Sequence, residues 1–143
     1  AGHSTGKDVS AIIGAASSGP SQSAALVTAR SRVPQISYSS TSTALSNGKQ
    51  YPFFLRTPPS DSFQGAALAD LVTALFGYSR IAAVSSSDTY GATGMAAFMQ
   101  AATSITLLTS ITFNKDAGDF EESFRELARS GARIIVIFCA AFD

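Results

Sequence analysis

Short apolar segments alternate with amphipathic segments along this sequence, and that order constrains the fold more than any other feature. Because strands separated by helical segments build parallel sheets with right-handed crossovers, the order predicts an α/β fold, with parallel sheets and helices on both faces. We expect the first and last strands to be buried, the last one on both faces. The strand signals lie at residues 9–14, 35–38, 51–56, 81–85, 107–113 and 133–140.

Apolar residues at helical spacing predict four helices, at residues 16–32, 61–76, 91–102 and 119–129. Pro34, Gly77 and Gly131 supply the stop signals, and the Glu121–Arg125 pair is predicted to face solvent. The predicted apolar faces are Ala24, Leu26, Val27 and Ala29; Phe63, Ala67, Leu71 and Leu75, with Leu68, Val72 and Phe76 beside them; Met95, Phe98, Met99 and Ala102; and Phe120, Phe124, Leu127 and Ala128.

The charge balance limits the classes of partner. Ten basic residues cancel ten acidic ones, charged residues are 14% of the chain, and there is no basic run. Nucleic acid and anionic membrane surfaces are therefore poor partners, which leaves a small molecule or another protein. The longest apolar run, residues 134–142, is shorter than the roughly 20 residues of a spanning helix, so any membrane attachment is expected through segments outside this chain.

Hydroxyl-rich turns follow three of the predicted strands, after Gly14, Tyr38 and Val84. Since the carboxyl ends of parallel strands share one edge, these turns are predicted to form a cleft that binds a small zwitterion. Ser17 and Ser18 either bind an anion at the start of a helix or only cap that helix. Ser60 or Asp61 caps the next helix, and Asp61 is alternatively a carboxylate that reaches a ligand ammonium.

Catalytic and cofactor motifs are missing from the sequence. His3 is the only histidine, and no Gly-X-Ser-X-Gly elbow or metal-ligand spacing is present. The GAASSG turn is neither a dinucleotide fingerprint nor a P-loop. We therefore predict a protein without catalysis, cofactor or metal. Cys139, the single cysteine, excludes an internal disulfide and is predicted to be a buried structural thiol.

Four motifs in order carry a resemblance: IIGAASS, QISYSSTSTALS, YPFFLRTPPSDSFQ and SSSDTYGATGMAAF. Together they resemble the extracellular ligand-binding domain of class C G-protein-coupled receptors, especially the metabotropic glutamate receptors, which has the type 1 periplasmic-binding-protein fold. That domain has two lobes and needs more than twice this length. The resemblance thus implies a fragment, with residues 1–77 in lobe one and 78–143 starting lobe two. Where those receptors carry Cys-Phe-Cys, this chain has Ile137, Phe138 and Cys139.

The resemblance also implies residue roles for binding an amino acid. Ser18 and the Thr41 amide would hold the α-carboxylate, the Ser39 carbonyl and Thr41 hydroxyl would accept from the α-ammonium, and Tyr90 would close over the ligand from lobe two. Ser17 and Ser40 are lower-ranked neighbours, and Asp61 is a supporting acid.

The implied function is an ectodomain on the extracellular face of the plasma membrane, which binds a glutamate-like amino acid, signals by lobe closure and forms a homodimer through lobe one. The alternatives are a soluble solute-binding protein of an amino-acid ABC transporter, which would be periplasmic, and a guanylyl-cyclase-type receptor ectodomain.

Overall fold

The computed structural model describes residues 9–114, 116 and 120–140. These residues form two compact units. The first comprises the described residues up to Ser40 together with Leu45–Pro58, and the second comprises Thr41–Ala44 and the described residues from Pro59 onward. The division of the chain into lobes at Gly77 stays a prediction.

The first unit is a three-stranded parallel sheet with one helix. Its elements are β1 (Ile12–Ile13), α1 (Ser18–Ser31), β2 (Gln35–Ser37) and β3 (Phe54–Arg56), in the sheet order β1-β2-β3. A short 3₁₀ turn, Thr43–Ser46, lies between β2 and β3. The apolar core of this unit is small and consists of Ala25, Leu45 and Tyr51, with Phe54 packed against them.

The sheet of the first unit buries its polar face. The register aligns Ile13 with Ile36 and Ile36 with Leu55, and Ile13 is 79% exposed. Gln35 and Ser37, on the other face of β2, are completely buried. The prediction of a buried strand at residues 9–14 is therefore wrong: only two residues pair, and β1 is an edge strand whose side chains are exposed.

Helix α1 shows the same inversion. Its buried residues are Ser18, Ser21, Ala25 and Thr28. Leu26 and Val27 are exposed, so the predicted apolar face of this helix is wrong. The physical reason is that hydrogen bonds of Ser21 fix which side of the helix faces the polar side of the sheet.

The elements of the second unit are α2 (Asp61–Asp70), a π turn (Leu71–Leu75), β4 (Arg80–Ser86), α3 (Thr89–Ala101), β5 (Thr106–Phe113), α4 (Glu121–Arg129) and β6 (Ile135–Phe138). Its strands form a parallel sheet in the order β5-β4-β6. Phe98, Phe138 and Ile81 are fully buried at its core. The predicted inward face of α3 is confirmed, with Met99 packed against that core.

Helix α2 packs on α3 through a different face from the predicted one. Its buried residues are Asp61, Gly65 and Ala69, whereas Phe63 is 71% exposed. A Cβ at Gly65 would lie 2.7 Å from the carbonyl carbon of Ala97, so glycine permits this close approach. In the π turn that follows, Val72 is buried, as predicted, whereas Leu71 and Leu75 are exposed. The positive φ of Gly77, +70°, confirms the predicted stop.

The last helix and strand are more exposed than predicted. No residue of α4 is buried and Phe124 is 67% exposed, so the inward face predicted for this helix is wrong. The exposed Glu121–Arg125 ion pair at 2.6 Å is confirmed. The charged side chains of α4 pair with one another in solvent. Among the described residues, none buries the Phe124 side chain. Asp119, the predicted start of this helix, lies outside those residues.

Strand β6 buries one face only. Val136 and Phe138 are buried, while Ile135 and Ile137 are exposed. Cys139 is exposed too, so the predictions of a strand buried on both faces and of a buried thiol are wrong. The reason is strand alternation, which places residue 139 on the same side as residues 135 and 137. Among the described helices, none has the length and apolar character needed to cross a membrane.

Candidate functional site

The turn between β1 and α1 is held by hydroxyl groups from three places in the chain. The carbonyl oxygen of Ala15 lies 2.6 Å from Ser37 Oγ, 3.0 Å from Ser21 Oγ and 3.3 Å from Ser40 Oγ. Ser40 Oγ also donates to the Ala16 carbonyl over 3.1 Å and lies 2.8 Å from Ser21 Oγ. This hydroxyl cluster, made of Ser21, Ser37 and Ser40, fixes the turn from three sides.

Backbone groups of β2 and the residues after it complete the same arrangement. The Ser40 amide donates to Ser37 Oγ over 2.9 Å, and the side-chain amide of Gln35 donates to the Gly14 carbonyl over 2.9 Å. Ser37 and Gln35 are fully buried, so these hydrogen bonds exchange no water. Such bonds rigidify a turn because leaving any of the polar groups unpaired is costly.

Two predicted site residues, Ser17 and Ser18, stand at the start of α1. Ser17 occupies the N-cap position in an extended conformation, but its side chain makes no capping hydrogen bond, so the capping alternative is wrong for this residue. Its side chain is exposed, whereas that of Ser18 is buried. The first backbone N–H groups of a helix have no intrahelical acceptor, and they favour an anion.

Two further predicted residues adjoin the hydroxyl cluster. Ser39 is exposed, and its amide donates to Ser37 Oγ over 3.3 Å. Ser40, ranked lower from the sequence, is almost fully buried and belongs to the cluster itself. The structure thus brings Ser17, Ser18, Ser39 and Ser40 to the carboxyl ends of β1 and β2, within the first unit.

Thr41 and Asp61 meet at the start of α2, in the second unit. The Asp61 amide donates to the Thr41 carbonyl over 2.8 Å. Ser60, one of the two predicted caps, occupies the N-cap position and accepts from the Ser62 amide. Asp61 is therefore the first residue of the helix, and its fully buried carboxyl group lies where the helix dipole favours negative charge.

Tyr90 lies in the same unit at the start of α3. Its ring tilts against Phe138 with centroids 6.3 Å apart. Burial raises the pKa of the Tyr90 phenol, and the nearby negative charge of Asp61 raises it further, although a hydrogen bond with the Gln64 side chain acts the other way. The phenol therefore stays protonated at neutral pH and can donate a hydrogen bond.

Sequence reasoning missed the residues that hold this site together. Ser21, Ser37 and Gln35 were not singled out, although the alternation of β2 places Gln35 and Ser37 on one face. That alternation was the available signal, but it does not tell which face is covered. Groups of three or more acidic, histidine or cysteine side chains suited to a metal ion are absent from the described part of the chain.

Comparisons with known proteins agree with the motifs. Residues 2–143 match the family model described as receptor family ligand binding region. The chain is 35% identical to human metabotropic glutamate receptor 8 over 141 residues, which cover 94% of this chain and 15% of the receptor. It is 37% identical to rat metabotropic glutamate receptor 6 over 141 residues, covering 94% of this chain and 16% of the receptor. The chain thus spans roughly a sixth of the length of these relatives.

Proposed function

Because the chain belongs to the family of receptor ligand-binding regions, we propose that it binds a small amino acid of the glutamate type. The similarity to two receptors named for glutamate supports this ligand class. The observation that carries the proposal is the hydroxyl cluster, which fixes the turn before α1. Ser17, at the N-cap position of that helix, makes no capping hydrogen bond with its side chain. A turn that is held in place beside a helix N-terminus suits a carboxylate.

The proposed ligand contacts are those of the class C receptor pattern. Ser18 and the Thr41 amide hold the α-carboxylate, with Ser17 beside them. The Ser39 carbonyl and the Thr41 hydroxyl accept from the α-ammonium. Tyr90 covers the ligand with a protonated phenol, and Asp61 supports the ammonium with its negative charge. Hydrogen bonds to charged groups contribute about 1.5 to 3 kcal/mol each, so several acting together reach micromolar affinity.

The proposed action is signalling without catalysis. Ligand binding closes two lobes, and the binding energy shifts an equilibrium between open and closed states. The domain acts on the extracellular side of the plasma membrane, pairs with a second copy through lobe one and connects to the membrane through segments outside this chain. These statements extend to this chain the class of the relatives, which are receptors by name.

The test is thermal unfolding of the chain against a panel of the common amino acids at millimolar concentration. A ligand present at about 100 times its dissociation constant stabilises the folded state by about 2.7 kcal/mol, which raises the melting temperature by a few degrees. Thr41→Ala should weaken binding about ten- to a hundredfold, because its hydroxyl accepts from a charged group.

The matched control is Ser39→Ala, since Ser39 is proposed to act through its backbone carbonyl. It should keep the full ligand-induced shift. The proposal is refuted if no amino acid stabilises a chain that unfolds cooperatively, or if Ser39→Ala abolishes the shift as completely as Thr41→Ala does.

A further inference from the structure

Residues 41–44 are attached to a different unit from their neighbours in sequence. Ser40 and Leu45 belong to the first unit, whereas Thr41–Ala44 belongs to the second. A four-residue segment contributes little apolar surface, so specific hydrogen bonds must define its place.

Two hydrogen bonds tie this segment to two helices. At its first residue, the Thr41 carbonyl accepts from the Asp61 amide at the start of α2, over 2.8 Å. At its second residue, the fully buried Ser42 hydroxyl lies 3.0 Å from the hydroxyl of Thr93 on α3, 51 residues further along the chain. The segment is thus held through the backbone of residue 41 and through the side chain of residue 42.

Thr93 is well placed to hold the segment in one orientation. Its hydroxyl oxygen also lies 2.7 Å from the Thr89 carbonyl, one helical turn earlier, which selects a single side-chain rotamer. Ser42 Oγ in turn accepts from the Ala44 amide over 3.2 Å. A continuous set of hydrogen bonds therefore runs from the α3 backbone through Thr93 and Ser42 to the backbone of residue 44.

We propose that Thr93 is a positioning residue for ligand binding: through Ser42 it fixes the backbone of residues 41–44, and so orients the amide and hydroxyl of Thr41. The inference rests on the proposed function, in which Thr41 contacts both charged groups of the amino acid. Thr93 itself touches no ligand. It acts through Ser42, which is adjacent to Thr41. Thr93 lies on α3, and Tyr90 lies in the first turn of the same helix.

The test compares two threonine-to-valine substitutions. Thr93→Val removes the hydroxyl and keeps the shape of the side chain. The matched control is Thr73→Val, because the Thr73 hydroxyl bonds the Ala69 carbonyl over 2.8 Å, the same bond to the preceding helical turn, in the same unit. Thr93→Ser restores the hydroxyl and should recover the behaviour of the unsubstituted chain.

The first measurement is amide hydrogen exchange of residues 41–44 without ligand. Losing one buried hydrogen bond should speed exchange about two- to tenfold in Thr93→Val and leave it unchanged in Thr73→Val. The second measurement is the affinity for L-glutamate, which should fall by a similar factor in Thr93→Val alone.

The two measurements separate this inference from the proposed function. Unchanged exchange in Thr93→Val, or equal acceleration in Thr73→Val, overturns the attachment through Thr93. Faster exchange with unaltered L-glutamate affinity overturns the positioning of Thr41. Faster exchange in a chain that binds no amino acid before substitution overturns the proposed function, and supports the attachment of residues 41–44 alone.

Discussion

Replacing Gly65 by alanine sets two physical effects of opposite sign against each other. Alanine favours the helix interior over glycine by about 1 kcal/mol, so propensity alone predicts that Gly65→Ala stabilises α2. Packing predicts the reverse. The added Cβ would lie 2.7 Å from the Ala97 carbonyl carbon and 2.7 Å from the Phe98 nitrogen, both in the backbone of α3.

The size of the packing cost follows from what the new methyl group would meet. Backbone atoms of a helix do not rotate away as a side-chain end does, so the two helices must separate. Overpacking of this kind costs about 1 to 3 kcal/mol and sometimes more. Since Phe98 is fully buried beneath the contact, separation also loosens the main apolar core. Two backbone contacts at 2.7 Å place the cost in the upper part of this range, about 2 to 3 kcal/mol, so after subtracting the propensity gain of about 1 kcal/mol we expect a net loss of about 1 to 2 kcal/mol.

Urea unfolding followed by far-ultraviolet circular dichroism measures this loss as a lower midpoint at an unchanged denaturant slope. The control is Ala67→Gly on the exposed side of the same helix, which reports propensity alone and should cost about 0.5 to 1 kcal/mol. The packing argument is refuted if Gly65→Ala unfolds at the same or a higher urea concentration than the original chain.

Three further predictions test the remaining conclusions. Ser37→Ala removes a buried hydroxyl of the cluster and should lower the free energy of unfolding in urea by about 1 to 3 kcal/mol; a loss under about 0.5 kcal/mol would contradict the role of the cluster. Tyr90→Phe should reduce the loss of stability above about pH 10. A raised pKa in the folded state stabilises the fold below the ordinary tyrosine pKa of 10.0, and this contribution is lost as the pH rises through the raised value. Urea unfolding at ~pH 8 and ~pH 11 measures the loss, and an equal loss in Tyr90→Phe and in the original chain would refute the prediction. Phe138→Ala should cost about 3 to 5 kcal/mol in calorimetry, whereas Phe124→Ala at an exposed site should cost less than about 1 kcal/mol, and equal losses would contradict the core assignment.

The order of strands and helices was predictable from the sequence, but the buried faces were predictable only in part. Helix α3 carries methionine and phenylalanine on one side and alanine and glycine around them, so burial of the large side chains decides its orientation. The larger apolar residues of helix α1, Leu26 and Val27, are exposed, and hydrogen bonds of Ser21 decide the orientation instead. A serine that will be buried is indistinguishable in sequence from one that will be solvated.

The candidate site shows the same limit. The hydroxyl-rich turns were recognised, and Ser17 and Ser39 are exposed beside them. Ser40 and Ser37 instead make up the support of the turn, and the four-serine pattern around them does not separate contact from support. The spacing of Phe63, Ala67, Leu71 and Leu75 likewise predicts a buried face, but α2 packs on α3 through Gly65 and Ala69, where glycine permits a close approach.

In the first unit, substitutions of buried polar residues should cost more stability than substitutions of exposed apolar residues. The buried hydroxyls of Ser21, Ser37 and Ser40 and the side-chain nitrogen of Gln35 hydrogen-bond one another or the Gly14–Ala16 carbonyls, so removing one leaves its partners unpaired in the interior, and paired substitutions will be non-additive. Replacing Leu26 or Val27 by a polar residue should change the free energy of unfolding little, because both side chains are exposed. Folding of this unit therefore depends more on Ser21, Ser37 and Gln35 than on the exposed apolar side chains aligned across its sheet. Most buried polar side chains of the first unit thus make hydrogen bonds that hold the turn between β1 and α1. The geometry of that turn, where the amino acid is proposed to bind, is what these residues maintain.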